Sequence, residues 1–270
     1  MHPIIFPGLG LTFTINRAAF SILGLPVYWY GILIAFGFAL ATFLALRDSK
    51  KYGIKSNDIL DLLLFALPAA IVGARLYYVI FSWSDYQNNL LSVFDIHQGG
   101  LAIYGGVIAA LITAFLFARK RKIGVLKLLD FTIPYLALGQ SIGRWGNFVN
   151  QEAHGTLTSL PWRMEIFDTM SMRYISVHPT FLYESLWDFL LFLFLIWFRK
   201  RKKLSGEVFI LYLAIYGLGR CFIEGLRTDS LYLGHVRISQ LVAGACFIIF
   251  MLVFVIRRLK LRSTSRPSTF

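Results

Sequence analysis

Long apolar blocks separated by short polar segments organise this chain. Each block has about 20 residues, the length that an α-helix needs to cross a hydrocarbon core about 30 Å thick. The pattern predicts seven membrane-spanning helices, at residues 28–46, 59–81, 101–118, 126–148, 181–198, 208–226 and 238–256. The connections are short except for residues 149–180, which are expected to form an outer loop or head region. The expected fold is all-α: a polytopic integral membrane protein with a single membrane domain over residues 1–270.

The composition agrees with a membrane protein. Hydrophobic residues make up 57% of the 270 residues and charged residues 15%, whereas a soluble domain is about half apolar and about a quarter charged. Cys221 and Cys246 both lie in apolar blocks. They are therefore expected to be small buried side chains rather than partners in a disulfide.

The basic residues predict the orientation of the helices. Of the 27 lysines and arginines, 19 lie in segments 47–58, 119–127, 199–203 and the tail from 257, which follow blocks one, three, five and seven. Because basic residues concentrate on the cytoplasmic side, the N-terminus is expected outside and the C-terminus in the cytoplasm. The net charge of +13 is then explained by flanks that face anionic membrane lipids. No nucleic-acid partner is expected, because the charge is split over four flanks and forms no single module.

Polar side chains collect at one depth of the predicted bundle. Those in the outer parts of six blocks are Tyr30, Arg75, Tyr104, Arg144, Asn147, Glu184, Arg220 and Glu224. The stretch GRWGNFVNQEAHG at residues 143–155 adds Asn150 and Glu152. An ionisable group at the centre of a spanning helix costs about 2.5–3.5 kcal/mol or more. Three arginines at one depth therefore predict a site near the outer leaflet.

Structural interpretations compete at several of these positions. Arg75 is either a ligand-binding residue or a structural pin held by backbone carbonyls. Arg220 and Glu224 are spaced i, i+4, so they can neutralise each other on one helix face. Tyr216, one turn before Arg220, is either part of the site or an anchor at the membrane interface.

The arginines suggest the chemistry of the ligand. The planar guanidinium group offers a fork of donors that matches phosphate, so Arg144 and Arg220 suit a phospholipid headgroup. Asn147 and Asn150 can bind a glycerol or phosphate oxygen, or can hold an arginine in position. The sequence contains no metal-ligand motif and no phosphate-binding glycine loop, so neither a metal nor a cofactor is expected. The residues alone thus predict an outer-leaflet site for an anionic lipid.

Six motifs then resemble one known family in order along nearly the whole chain. They are YWYG (28–31), VGARLYYV (72–79), GGLAIYGG (99–106), GRWGNFVNQEAHG (143–155), HPTFLYES (178–185) and YGLGRCFIEGLRTDS (216–230). The chain resembles the bacterial prolipoprotein diacylglyceryl transferases. The resemblance implies seven spans in the bacterial cell membrane. It also implies transfer of the diacylglyceryl group of phosphatidylglycerol to the lipobox cysteine in the signal peptide of a prolipoprotein. The products are a thioether and glycerol phosphate, in the first step of lipoprotein maturation.

The resemblance also implies roles for individual residues. Family roles carry over onto Tyr30, Arg144, Asn147, Glu152, Tyr216, Arg220 and Glu224. Tyr104 departs from the family, because many members have a histidine there that is discussed as the base for the thiol. A phenol is a poor base at neutral pH, so Tyr104 is expected to orient the substrate instead.

These residues give a specific mechanistic prediction. The thiol attacks the glycerol carbon next to the phosphate, while Arg144 and Arg220 bind the phosphate and stabilise it as it leaves. Asn147 and Glu152 shape the headgroup pocket or hold the arginines, and Tyr30 and Tyr104 line it. Glu224 keeps Arg220 in place.

Two other functions compete with this enzyme. A small-anion transporter would need polar groups through the whole membrane and usually paired repeats, and the sequence has no obvious repeat. A non-catalytic phospholipid-binding membrane scaffold would keep the same pocket, so the sequence leaves it open.

Overall fold

The computed structural model describes residues 2–96, 99–228, 232–233 and 236–264. Within these residues, seven helices contain 18 or more residues: α1 (Trp29–Ser49), α2 (Ser56–Phe81), α4 (Ile103–Lys120), α5 (Val125–Asn150), α6 (Thr180–Arg199), α7 (Glu207–Glu224) and α8 (Ile238–Thr264). A short helix, α3 (Trp83–Tyr86), follows α2. Asp229 and Ser230 of the last motif and Arg266 of the basic tail lie outside the described residues.

Five of the long helices are apolar and long enough to cross a membrane. They are α1 with the short helical turn that extends it to Tyr52, then α2, α4, α6 and α8. The described chain is thus mostly helical with several candidate spans, as expected for a polytopic membrane protein. The blocks predicted at 126–148 and 208–226 form α5 and α7.

The prediction of an all-α fold is wrong, because the described residues also form short strands. β1 (Ile4–Phe6), β2 (Leu11–Phe13), β5 (Met164–Asp168) and β6 (Arg173–Val177) make an antiparallel sheet in the order β2-β1-β5-β6. Two hairpins add β3 (Ala18–Ile22) with β4 (Leu25–Tyr28), and β7 (Tyr232–Leu233) with β8 (Val236–Arg237). Each strand has five residues or fewer. Segments this short cannot span a membrane, and β1 and β5 alternate buried and more exposed side chains as a half-buried strand does.

The chain divides into two compact units. The first consists of residues 1–44 and 132–270, and the second of residues 45–131. In the first unit, one apolar core joins the β1–β5 sheet to α5 and α6 through Phe6, Met164, Phe148 and Phe181. A second core packs α5, α6 and α7 together. The first unit therefore fixes the three helices that carry Arg144, Glu184 and Arg220.

Glycines bring helices close together in both units. In the second unit, a Cβ on Gly105 of α4 would lie 2.2 Å from the carbonyl oxygen of Gly73 on α2. In the first unit, a Cβ on Gly217 of α7 would lie 2.8 Å from the carbonyl oxygen of Ala243 on α8. Such contacts are typical of membrane helices that pack through small residues. The GGLAIYGG motif is therefore explained at least in part by helix packing.

Candidate functional site

Three arginines of the first unit converge on one buried carboxylate, Glu184 of α6. Glu184 is 3% exposed and forms ion pairs with Arg144 of α5 at 2.7 Å and with Arg220 of α7 at 2.9 Å. Arg227, just after α7, contacts the same carboxylate at 3.1 Å. Glu184 thus ties α5, α6 and the end of α7 together at one point. We call these four residues the Glu184 cluster.

Two further carboxylates border the Glu184 cluster. Glu224 is buried and pairs with Arg220 one helical turn away, as the i, i+4 spacing predicts. Asp188 lies one turn after Glu184 on α6, is buried, and interacts electrostatically with Arg144 and Arg220. Buried networks of this kind hold their members in a fixed arrangement, because removing one partner leaves an uncompensated charge.

Arg144 and Arg220 are partly accessible to solvent, whereas the Glu184 carboxylate that pairs with them is buried. The side chains of Arg144 and Arg220 are each 23% exposed, compared with 3% for Glu184. An anion that approaches from solvent would therefore meet guanidinium groups first. Within the described part of the chain, no group of three His, Cys, Asp or Glu residues is placed to hold a metal ion.

The motif at 143–155 also positions Arg227. Its last glycine, Gly155, forms an isolated β-bridge with Arg227. A Cβ on Gly155 would lie 2.6 Å from the Cβ of His178, so a larger residue would push this strand-like segment away. The glycine allows the backbone contact that places Arg227 beside Glu184.

A second polar group lies at the C-terminal end of α5. The side-chain amides of Asn147 and Asn150 both donate to Oε1 of Glu152, at 3.1 and 3.3 Å. The backbone of Asn150 accepts a hydrogen bond from the guanidinium of Arg17 at 2.8 Å. The two asparagines are thus directed at Glu152, which is exposed, and they present its carboxylate at the surface of the first unit.

Tyr30 of α1 packs directly on α5. A Cβ on Gly146 would lie 2.4 Å from the Tyr30 ring, so the glycine of GRWGNF makes room for this aromatic side chain. Since Gly146 lies between Arg144 and Asn147 in the sequence, Tyr30 sits beside the part of α5 that carries both predicted site residues.

Tyr216 belongs to the neighbourhood of the arginines. Its ring stacks on that of Tyr212 with centroids 5.4 Å apart, and it packs against the second core, one helical turn before Arg220. The Tyr212 hydroxyl donates to Gln140 of α5 at 2.9 Å. This placement favours a role of Tyr216 in the site over a role as an interface anchor.

An apolar groove of about 500 Å³ borders the same region of the first unit. Its walls include Trp145, Phe148 and Val149 of α5, Trp29 and Leu33 of α1, and Ile15. These α5 residues alternate along the chain with Arg144 and Asn147. The groove therefore offers an apolar surface next to a polar one, as a lipid with a charged headgroup requires.

Arg75 and Tyr104 lie in the second unit. Arg75 is 7% exposed and donates to the carbonyls of Ser92, Val93, Asp95, Gly99 and Gly100 over 2.7–3.0 Å. These five bonds equal the number of N–H donors of a guanidinium, so the geometry favours the structural-pin interpretation of Arg75. Tyr104, in the first turn of α4, is 54% exposed, and its ring centroid lies 6.4 Å from that of Tyr77.

The candidate site contains residues that the sequence prediction did not include. The sequence prediction includes Glu184 only among the polar side chains at the outer depth, and it includes neither Asp188 nor Arg227. The available signal was the pair of carboxylates at i, i+4 in an otherwise apolar block. Acids at that depth are costly unless they are paired, so they indicated partners for the arginines.

Comparison with known proteins identifies the family of this chain. The long apolar helices define a polytopic membrane protein, and the Glu184 cluster is a candidate anion site in its first unit. The family model described as prolipoprotein diacylglyceryl transferase matches residues 17–256. The chain therefore belongs to the prolipoprotein diacylglyceryl transferase family.

Three curated relatives show the extent of the similarity, and each is named phosphatidylglycerol–prolipoprotein diacylglyceryl transferase. The protein from Finegoldia magna is 53% identical over 234 residues, which cover 86% of this chain and 92% of the relative. The protein from Clostridioides difficile is 45% identical, covering 84% of this chain and 90% of the relative. The protein from Enterococcus faecalis is 45% identical, covering 90% and 91%.

Proposed function

We propose that this protein transfers the diacylglyceryl group of phosphatidylglycerol to the lipobox cysteine thiol of a prolipoprotein. The products are a thioether and glycerol phosphate. The names of relatives up to 53% identical support this reaction, which is the first step of lipoprotein maturation. The observation that carries the proposal is the Glu184 cluster, because it presents two accessible guanidinium groups in a fixed arrangement.

The arginines suit the charge change of this reaction. The thiolate sulfur forms a bond to the glycerol carbon, and the bond between that carbon and the phosphate oxygen breaks with its electron pair left on the oxygen. The phosphate thus changes from a diester with one negative charge to a monoester with a second charge developing. Arg144 and Arg220 would stabilise that charge as it develops, which lowers the barrier of the step. The thiol proton is accepted by solvent or by the released phosphate.

The polar group at the end of α5 suits the headgroup glycerol. Phosphatidylglycerol carries two free hydroxyls there, and a carboxylate is a strong acceptor for hydroxyl donors. Asn147 and Asn150 would hold Glu152 ready for this contact, and Tyr30 would line the pocket beside them. The apolar groove between α1 and α5 would take part of an acyl chain. Tyr216 and Glu224 would keep Arg220 in place.

The proposal includes a topology. α5 and α7 would cross the membrane with the other five long helices, within one membrane domain. The N-terminus would lie outside and the C-terminus in the cytoplasm of a bacterial cell. The distribution of 19 basic residues over four flanks supports this orientation, which puts the Glu184 cluster toward the outer leaflet.

The two competing functions make different predictions. A transporter would move a small anion without changing it, and a scaffold would bind phosphatidylglycerol without modifying a peptide. The discriminating experiment incubates the purified protein with phosphatidylglycerol vesicles and a lipobox peptide, and measures the mass of the peptide. Addition of a diacylglyceryl group is expected. Lipid binding without any mass change would contradict the enzymatic proposal in favour of the scaffold.

The variant Arg144→Lys tests the phosphate contact in the same assay. Lysine keeps the charge but not the fork of donors, so the rate should fall by about 10²–10³-fold, as on loss of one donor to a developing oxyanion. Arg163→Lys is the control, because Arg163 pairs with Glu165 of β5 at 3.5 Å. A near wild-type rate for Arg144→Lys would rule out the proposed phosphate contact.

A further inference from the structure

The hairpin formed by β3 and β4 exposes an apolar face. Its register pairs Ile22 with Leu25 and Phe20 with Val27. Directly paired residues on an antiparallel ladder share one face, so these four apolar side chains form a continuous surface. Phe20 and Ile22 are more than half exposed, and Leu25 is 72% exposed. Ser21 pairs with Pro26 on the opposite face.

The turn of this hairpin is also apolar. Leu23 and Gly24 connect the strands with φ values of 51° and 82°. A two-residue turn with two positive φ angles favours Asn, Asp or Gly, and a leucine with positive φ is uncommon. Leu23 is 98% exposed. The turn conformation therefore does not explain the leucine, but an apolar environment around the tip would.

The hairpin lacks the features that protect exposed strands in water. Residues 18–28 contain no charged side chain. Soluble proteins usually carry lysine, other charges or proline at exposed strand edges to prevent association, and they avoid large exposed apolar patches. The only proline of β4, Pro26, lies on the face opposite the four apolar residues. The composition thus indicates a partner that is itself apolar.

The position of the hairpin identifies that partner. β4 ends at Tyr28, and α1, a candidate membrane span, begins at Trp29. The backbone N–H of Trp29 donates to the carbonyl of Arg17 at 3.0 Å, which closes the base of the hairpin on the start of α1. Exposed Tyr28 and Trp29 match the aromatic residues found at membrane interfaces. A strand of five residues reaches roughly 17 Å at about 3.3 Å per residue, so the tip can reach the bilayer from this base.

We propose that the β3–β4 hairpin inserts its apolar face and the Leu23 tip into the outer leaflet of the bilayer. The partner is lipid hydrocarbon, because the apolar surface is continuous with a spanning helix. The outer side rests on the orientation of α1 in the proposed function. Insertion would hold the segment that begins at Arg17 at the membrane surface, and Arg17 in turn binds Asn150 at the end of α5. The hairpin would thereby fix the headgroup end of the candidate site at the level of the lipid phosphates.

The first test measures the depth of the tip directly. A nitroxide is attached at Leu23→Cys in the full-length protein, with Cys221 and Cys246 replaced by alanine, in phosphatidylglycerol-containing vesicles. Ser159→Cys is the matched control, because Ser159 is exposed in a loop of the same unit. Membrane-soluble oxygen should relax the label at 23 more than a water-soluble nickel complex does, and the order should reverse at 159. Equal behaviour at both positions would overturn the proposal.

Two other partners give distinct results. Spin–spin broadening at position 23 that increases with the protein-to-lipid ratio would indicate a second copy of this chain. If the label at position 23 becomes protected from the nickel complex only after a signal peptide is added, the partner is the apolar part of that peptide. Either result would overturn insertion into lipid. None of these readings needs transferase activity, so failure of the hairpin proposal and failure of the proposed reaction can be distinguished.

A second test places aspartate on one face or the other of the β3–β4 hairpin, in a protein that retains Cys221 and Cys246. Leu23→Asp with Leu25→Asp places two carboxylates on the apolar surface, and Ser21→Asp places one on the other face. In vesicles with limiting phosphatidylglycerol, the double variant should modify peptide several-fold more slowly than Ser21→Asp. In detergent the two variants should be equal, since no bilayer is present. Equal rates in vesicles would contradict the proposal.

Discussion

Replacing Glu184 with glutamine should disable the candidate site. The carboxylate holds Arg144, Arg220 and Arg227 at 2.7–3.1 Å from a position that is 3% exposed. Removing one partner of a buried ion pair costs about 3–5 kcal/mol. The arginines are partly accessible, so water would compensate in part, and we expect a loss of stability near 3 kcal/mol, the lower end of that range. Glutamine keeps the shape but directs an amide N–H₂ at a guanidinium.

The effect on catalysis follows from the position of the arginines. A displacement of about 1 Å in a positioning group can cost 10²-fold in rate, which corresponds to roughly 2.7 kcal/mol of barrier. Glu184→Gln should therefore lower kcat/KM for peptide modification by about 10²-fold or more. Glu184→Asp keeps the charge but shortens the side chain, so it should recover part of the rate.

The assay combines initial rates over a range of phosphatidylglycerol concentrations with thermal unfolding of each variant. Glu165→Gln is the matched control, since its partly exposed pair with Arg163 at 3.5 Å should contribute less than about 1 kcal/mol. A normal rate with a lower melting temperature for Glu184→Gln would make Glu184 a purely structural residue. A normal rate and a normal melting temperature would refute the reasoning altogether.

Three further predictions concern other parts of the chain. Gly146→Ala should destabilise the protein by about 1–3 kcal/mol through overpacking, because the added Cβ would lie 2.4 Å from the ring of Tyr30. Gly139→Ala is the control: nothing lies within 4 Å of its Cβ, so this variant should unfold at or above the wild-type temperature. Tyr104→Phe should retain the rate of thioether formation within roughly tenfold if Tyr104 orients substrate, and a loss of about 10²–10⁴-fold would identify it as the base. A reporter fused after Lys203 should be active only in the cytoplasm and one fused near Asn88 only outside, and the reverse result would overturn the orientation.

The sequence predicted the long helices well, because their signal is local. Apolar blocks at 28–46, 126–148 and 208–226 correspond to α1, α5 and α7, with ends displaced by a few residues. Each block needs only its own side chains to indicate a helix. Their tertiary neighbours were not needed for this level of prediction.

The strands were missed because their pairing is not local. β1 and β5 pair through Ile5 and Glu165, and the first five helices lie between these two residues in the sequence. Three to five residues of alternating pattern are too few to distinguish a strand from a loop without knowing the partner. The same limit applies to Arg75, because the five carbonyls that bind it come from a loop whose path the sequence does not define.

The central carboxylate of the site was missed for a related reason. Arg144 and Arg220 were predicted from their charge and depth alone. Glu184 could become a site residue only once α5, α6 and α7 were known to meet, and apolar periodicity does not determine which helices are neighbours. Polar residues in a membrane segment therefore indicate that a site is present, because each costs free energy there, but they do not show which of them contact each other.

The charges in direct contact suggest why a buried glutamate would belong in the proposed anion site. Three guanidiniums pair with the carboxylates of Glu184 and Glu224, and buried Asp188 lies one turn after Glu184, so these carboxylates offset much of the positive charge of the arginines. The phosphate of phosphatidylglycerol carries a single negative charge. In the proposed reaction the leaving glycerol phosphate gains a second charge, which the arginines stabilise through directed hydrogen bonds. With no carboxylate at Glu184, the excess positive charge would bind this product more tightly than the substrate. We therefore infer that Glu184 both positions the arginines and limits product inhibition. Stronger inhibition of Glu184→Gln than of the wild type by added glycerol phosphate would support this inference, and equal inhibition would contradict it.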